Sequence, residues 1–304
     1  MVVNKKFSVE QLNRLSKDAL TAATLAGHYI NQFDKTDLKT NYKDGGSTLS
    51  SQVVTEVDLH CQEIIIKALQ PSCDKYDIAL LSEENCTEIA INQHPRLTKP
   101  YFWCVDPLDG TLPFIEGKSG YAVSIALVNQ AGVSMLSAIY LPATNETYQL
   151  RFDKNSAAQL YKNNLPFKPA LAKNNTVLTL YCDRSFLCCS QYPQLINKLT
   201  NMLAKLNLTS LNIISTHGAV VNALMVLENS PACYIKLPKP QKGGGATWDF
   251  SGTACLTEAV NGWVTDCLGH PLKLNQADSY YMNKKGVIYA SDKTIAKAIL
   301  NTIN

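Results

Sequence analysis

Phe102-Trp-Cys-Val-Asp-Pro-Leu-Asp-Gly-Thr111 is the segment on which the reading of this chain turns. Residues 102–105 have the length and composition of a buried strand, and the strand runs into two carboxylates three positions apart. A carboxylate directly after a core strand is unfavourable for folding alone, because burying an unpaired charge costs several kcal/mol. Pro107 holds the backbone extended, so that Asp106 and Asp109 can face one centre with the Leu108 carbonyl between them. Gly110 permits close backbone approach, and the Gly110 and Thr111 amides are placed to point at a phosphate. Taken alone, D-x-x-D-G-T is also the composition of a surface turn.

Its company decides between the two. Asp58 in Val53-Val-Thr-Glu-Val-Asp58, Glu83 in Leu81-Ser-Glu-Glu84 and Asp249 in Ala246-Thr-Trp-Asp249 repeat the pattern of a carboxylate where an apolar element begins or ends. Such repetition implies a cation that collects them. Hard oxygen donors select Mg²⁺ or Mn²⁺ over zinc. No His/Cys ligand spacing competes: the ten cysteines contain no C-x-x-C pair and read as free thiols in a reducing compartment.

Around this segment the chain alternates helix and strand patterns. Ser8 and Gln11 form a capping box for an amphipathic helix that runs to about Phe33. A Gly/Ser/Lys-rich loop is expected over 41–51, and a second helix over 54–69, stopped near Pro71. Short strands follow at 78–81 and 102–105, then a hairpin of 123–128 with 133–140. Further on, strands are expected at 177–181, 211–214 and 287–290, and helices over 193–206, 218–227, 250–259 and 294–303. Hairpins beside crossovers imply mixed rather than purely parallel sheets in an α/β sandwich. The chain divides into halves of 1–170 and 171–304, expected to pack as one compact unit.

Composition bounds the function. With 28 Lys+Arg against 25 Asp+Glu in 304 residues, the net charge of +3 gives no case for a nucleic-acid polymer or a membrane surface as partner. The N-terminus has no apolar signal region, no window is long enough to span a bilayer, and a cytoplasmic protein is expected.

These motifs together resemble the lithium-sensitive, magnesium-dependent phosphomonoesterase superfamily, which includes inositol monophosphatase, inositol polyphosphate 1-phosphatase and 3′(2′),5′-bisphosphate nucleotidase. The family's D-P-[I/L]-D-G-T is similar to Asp106–Thr111, its acidic pair to Glu83-Glu84, its V-T-x-x-D to Val54–Asp58, and its W-D-x-[A/S]-[A/G] to Trp248–Gly252. The resemblance implies a layered αβαβα sandwich. It also implies a cofactor of two or three Mg²⁺ ions, for which Mn²⁺ can substitute. By this resemblance Glu83, Asp106 and the Leu108 carbonyl hold one ion, and Asp106, Asp109 and Asp249 a second. Thr111 paired with Asp58 then activates water, and Gly110 and Thr111 cradle the phosphate. Glu84 is left as either a supporting or a solvated residue.

The expected substrate is a small phosphorylated metabolite, handled by a monomer or homodimer. After D-G-T this chain has Leu112-Pro113-Phe114, where many members carry Lys or Thr. Inositol monophosphatases place an acidic residue about seven positions before the W-D aspartate. Here that position is Lys242, preceded by Lys236 and Lys239 and followed by Gly243-Gly-Gly245. Three lysines beside a phosphate site favour a second anionic group, and Asp183-Arg-Ser185 resembles the S-R-S turn of bisphosphate nucleotidases. Adenosine 3′,5′-bisphosphate is therefore favoured, with inositol monophosphate next, then fructose 1,6-bisphosphate or NADP. A phospho-ligand-binding relative without catalysis is the alternative class.

Overall fold

A computed structural model describes residues 7–34, 40–42, 53–169 and 175–303. Its elements stack in five layers. On the outside, α1 (Val9–Gln32) and α2 (Glu56–Tyr76) cover a seven-stranded sheet. That sheet holds β3 (Ala79–Ser82), β4 (Tyr101–Asp109), β5 (Ala122–Asn129), β6 (Ser134–Leu141), β7 (Glu146–Phe152), β8 (Ala158–Lys162) and β9 (Leu165–Pro166) in sequential order. Only β3 and β4 are parallel; the remaining neighbours are antiparallel.

The middle layer is α5 (Ala219–Glu228) and α6 (Thr247–Ala259). Below it lies a second sheet built from β10 (Val177–Tyr181), β11 (Ser210–Ile214), β12 (Ala232–Lys236), β13 (Trp263–Thr265) and β14 (Val287–Ala290). Its order is β11-β10-β12-β14-β13, parallel on the β10 side and antiparallel around β14. Helices α4 (Tyr192–Leu203) and α7 (Lys293–Ile303) close the far face. The expected αβαβα sandwich with mixed sheets is the observed fold.

Each layer follows from the pattern of its residues. Ser8 Oγ accepts from Gln11 N–H (3.2 Å) and Gln11 Oε1 from Ser8 N–H (2.8 Å), which starts α1. Leu12, Leu15, Ala19, Ala22, Ala23, Ala26 and Ile30 then share its buried face. Along β4, Trp103 and Val105 face α1 and α2, whereas Phe102 and Cys104 face the middle layer. The apolar core of that middle layer joins both halves of the chain, Phe102 and Ala126 meeting Tyr234, Phe250 and Tyr289.

Two helical expectations need correction. Helix α2 starts at Glu56, because Val53–Thr55 form a strand, β2, antiparallel to β1 (Thr40–Tyr42). It also continues through Pro71 to Tyr76. Tertiary contact outweighs the lost hydrogen bond there: buried Ser72 donates to the Leu69 carbonyl (2.7 Å) and accepts from Trp103 Nε1–H (2.9 Å). The loop expected at 41–51 falls mostly outside the described residues, and Asn41 and Tyr42 belong to β1. Strands β7, β8, β9, β12 and β13 were not anticipated by the sequence pattern.

Gly27 offers a test of the α1 packing. A Cβ there would fall 2.0 Å from Tyr140 Cδ1. Alanine normally improves a helix interior by about 1 kcal/mol over glycine, whereas overpacking costs about 1–3 kcal/mol or more. Overlap this deep should win, so Gly27→Ala is expected to lower stability by at least about 1 kcal/mol in urea unfolding. A variant as stable as the parent would mean that the Tyr140 ring moves aside freely.

Candidate active site

In a regular strand, residues three apart point to opposite faces, so Asp106 and Asp109 should diverge. They do not, because β4 carries a bulge. Asp106 pairs with Ser124 and Asp109 with Ala122, so three steps on β4 oppose two on β5. Pro107, with no N–H to offer the ladder, sits inside the irregularity. The extra residue returns Asp109 to the face of Asp106, and the Leu108 N–H turns in to donate to Asp106 Oδ1 (3.2 Å). Asp249 arrives from the first turn of α6. Carboxylate oxygens of Asp106, Asp109 and Asp249 lie within 4.8 Å of one another.

Backbone amides offset part of the resulting repulsion. Asp109 caps α5 from a distance: its Oδ1 accepts from Ala219 N–H (3.0 Å) and its Oδ2 from Val220 N–H (2.8 Å). Gly218 is needed at this junction, since a Cβ there would stand 2.4 Å from Asp109 Oδ2. Asp249 Oδ2 accepts from Ala246 N–H (2.6 Å) at the start of its own helix. These bonds are not enough. Burial first, then Glu83, Asp109 and Asp249, push the Asp106 carboxyl well above the usual range. Burial and Asp249 do the same to Asp109 against the pull of its two amides. Asp249 is held at about 6, raised by burial and Glu83 and lowered by Lys236.

The cluster forms the floor of a cavity of about 510 Å³. Six carboxylates (Glu83, Glu84, Asp106, Asp109, Asp183 and Asp249) and only two cationic side chains, Lys236 and Arg184, line it among the described residues. Asp106 Oδ2 is buried with no hydrogen-bond partner there. An orphaned carboxylate oxygen, excess negative charge and an all-oxygen donor set fit a hard divalent cation.

Glu83 lies in the wall, its N–H donated to the Val105 carbonyl (3.1 Å), although it is outside the tight group of three. Thr111 begins the single turn α3 (Thr111–Ile115) behind Gly110, whose φ of +83° is one that glycine adopts without strain. Thr111 Oγ1 is 3.0 Å from Asp58 Oδ1 and 3.2 Å from the Leu108 carbonyl, and Asp58 is buried in the first turn of α2.

The three lysines part company. Lys236, at the end of β12, is buried in the wall and paired with Asp183 (2.8 Å), with its ammonium over Phe250 (5.4 Å). Burial opposes its charge, but Asp183, Asp249 and Asp109 outweigh that and raise its pKa. Lys239 and Lys242 do not line the cavity: Lys239 packs beneath Gly244, and Lys242 is exposed. Arg184 is paired with Glu116 through both terminal nitrogens (2.5 and 2.8 Å), and this bond holds Glu116 at about 2. The N-terminus of α5 and the pairing of Lys236 and Tyr234 with Asp183 were missed in the sequence, although Lys236 and Asp183 were each singled out there. The only signal for the former was Gly218 before an apolar helix.

The model for the inositol monophosphatase family matches residues 11–304. The chain belongs to the inositol monophosphatase family. With it the chain joins the phosphoric monoester hydrolases. Among relatives, a 3′(2′),5′-bisphosphate nucleotidase CysQ of Haemophilus influenzae is 26% identical over 87% of this chain and 89% of its own. Inositol monophosphatase 1 of Bos taurus is 23% identical over 94% and 92%. The structure of the extragenic suppressor protein SuhB of Bartonella henselae superposes with a TM-score of 0.69 at 18% identity, covering 96% of this chain and 98% of that one.

Neutralising one carboxylate should relieve the repulsion. In Asp106→Asn the new amide replaces an oxygen that has no partner, and the metal-free variant is expected to be at least about 1 kcal/mol more stable than the parent. That corresponds to about 2 °C or more in Tm for a chain of this size. Millimolar Mg²⁺ should raise the Tm of the parent and leave the variant unchanged. A metal-free variant that melts lower than the parent would show that the clustered charges are not a cost.

Proposed function

We propose that this enzyme hydrolyses a small anionic phosphate ester, with adenosine 3′,5′-bisphosphate as the favoured substrate. The phosphatase reading rests on one observation above all: Asp106, Asp109 and Asp249 converge in one cavity that is also lined by Thr111, whose hydroxyl is bonded to Asp58 behind it. Glu83, Asp106, Asp109, Asp249 and the Leu108 carbonyl would hold Mg²⁺, which when bound supplies charge that acidifies water and neutralises the leaving oxygen. The chain's own groups do the rest. Thr111 donates its hydroxyl proton toward Asp58, which leaves an oxygen lone pair to accept from the attacking water. Asp58 fixes that orientation. The Gly110 and Thr111 amides hold the phosphate by hydrogen bonds, and the N-terminus of α6 at Asp249 adds partial positive charge.

The preference for a bisphosphate rests on Lys236 and Arg184 in the wall, with Lys239 and Lys242 in the adjoining loop as outer contacts, and agrees with the likeness to CysQ. Inositol monophosphate is the second reading, favoured by the pairing of both wall cations with carboxylates and by the likeness to inositol monophosphatase 1. Sensitivity to lithium and a cytoplasmic location belong to the same proposal; among the described residues no helix is long and apolar enough to cross a membrane.

Purified protein should release phosphate from 3′-phosphoadenosine 5′-phosphate faster than from inositol 1-phosphate, and EDTA should abolish both. Faster turnover of inositol 1-phosphate would reverse the order of the two readings. Thr111→Ala should lower kcat by roughly 10²–10⁴-fold while Mg²⁺ still raises its Tm. A variant within a factor of two of the parent would remove Thr111 from water activation.

A further inference from the structure

Two elements far apart in the chain carry acids into the cavity wall and floor: the turn after β3 brings Glu83, and the first turn of α6 brings Asp249. The Glu83 turn is closed by its own bonds. Ser82 N–H donates to Asn85 Oδ1 (3.3 Å), and Cys86 N–H to the Glu83 carbonyl (3.4 Å). Glu83 N–H, bonded to the Val105 carbonyl (3.1 Å), ties the turn to β4. Its far end, at Cys86, is held by a residue that belongs to neither element.

That residue is Tyr280, which is buried and touches both elements. Its hydroxyl donates to the Cys86 carbonyl (3.2 Å). Its own carbonyl accepts from Thr247 N–H (2.8 Å), the first amide of α6 and one with no partner inside the helix. Its ring packs against Trp248, the residue before Asp249, with centroids 5.5 Å apart and planes at 45°. The neighbours of Tyr280 are pinned to the same helix start: Tyr281 bridges to Ala246, and Met282 N–H donates to the Gly245 carbonyl (3.0 Å). The backbone of Tyr280 is thus fixed to the start of α6, while its hydroxyl reaches the Glu83 turn. The ring is held in that direction by buried Arg96, whose Cζ lies 4.9 Å from its centroid. The guanidinium is itself anchored on the Asn275 side chain and the Gln276 carbonyl (2.7 Å).

We propose that Tyr280 is a positioning residue for the cation site: through the Cys86 carbonyl its hydroxyl holds the Glu83 turn in place relative to Asp249. A small divalent cation demands near-ideal geometry from its oxygen donors, so a turn free to shift binds it more weakly. Hydrogen bonds one step behind the donors supply that rigidity. This inference rests on the phosphatase reading above, in which Glu83 and Asp249 both serve Mg²⁺.

Calorimetric titration of the substrate-free protein with Mg²⁺ alone compares the parent with Tyr280→Phe, which keeps the ring against Arg96 and Trp248 and removes only the hydroxyl. The variant should bind Mg²⁺ about five- to tenfold more weakly, the size of one hydrogen bond. Half-activation of phosphate release should need correspondingly more Mg²⁺, while KM for the ester at saturating Mg²⁺ matches that of the parent. In a Glu83→Ala background the same substitution should not weaken Mg²⁺ binding further, because the hydroxyl acts through that turn. Equal Mg²⁺ affinity in parent and variant, whatever the change in metal-free Tm, makes the bond a structural one and overturns the inference. An undiminished effect in the Glu83→Ala background overturns it too. Tyr280→Leu repeats the titration should the phenyl variant not fold, and failure of both to fold counts against a positioning role. A parent that binds no Mg²⁺ removes the cation from the phosphatase reading, and this inference with it.

Discussion

Three carboxylates packed within 4.8 Å on the floor of a cavity repel one another, and most of the local structure can be read as a response to that repulsion. Each carboxylate is given N–H donors: Leu108 for Asp106, Ala219 and Val220 for Asp109, Ala246 for Asp249. Two of these sets are the first amides of α5 and α6, so the middle helical layer directs its positive ends at the negative cluster. Lys236 adds one full charge from the opposite wall. The raised pKa of all three acids shows the compensation to be incomplete. A cation bound there would complete the compensation and stabilise the folded state by mass action.

The bulge at Pro107 is the device that makes this convergence possible. Alternation along β4 is regular as far as Asp106: odd positions pack on the outer helices and even positions on the middle layer. One inserted residue shifts the parity, so that Leu108 packs outward and Asp109 returns inward. A proline at that point also forbids repair of the ladder, since a regular register would ask residue 107 for an N–H it lacks. The sequence D-P-L-D is thus a geometric statement as well as a set of donors. The same parity shift delivers Gly110 and Thr111 to the cavity, where Gly110 turns the chain with φ +83° into α3.

What could be read in advance follows this division between local and distant causes. The carboxylates of Asp106, Asp109 and Asp249 were legible because acids at the ends of apolar runs conflict with burial, and the conflict is visible in a single strand. Helix α1 was legible because Ser8, Gln11 and its apolar stripe lie within one element. Pro71 misled because its tolerance depends on Trp103, 32 positions away in sequence, anchoring Ser72. Lys236 was grouped with Lys239 and Lys242 because all three precede Asp249. Only the pairing of β12 with β10 and β14 separates the lysine in the wall from those outside it.

The cations of the wall sharpen the question of substrate. Lys236 is paired with Asp183, which also accepts from Tyr234 (2.9 Å), and Arg184 is paired with Glu116, which also receives Lys118 (2.7 Å). Each positive charge already has a carboxylate, so a second phosphate on the substrate meets an ion pair rather than a bare cation. It gains little at the partly exposed Arg184–Glu116 pair, where solvent screens the exchange. At Lys236 the balance differs, because that ammonium is buried and held charged by three carboxylates. Were Asp109 and Asp249 to hold cations, two of those three partners would be neutralised. Lys236 would then be left with Asp183 alone, and its positive potential would add to the attraction of an anion at the cavity. Filling the carboxylate cluster and attracting an anionic substrate would therefore be linked through one buried lysine, each favouring the other.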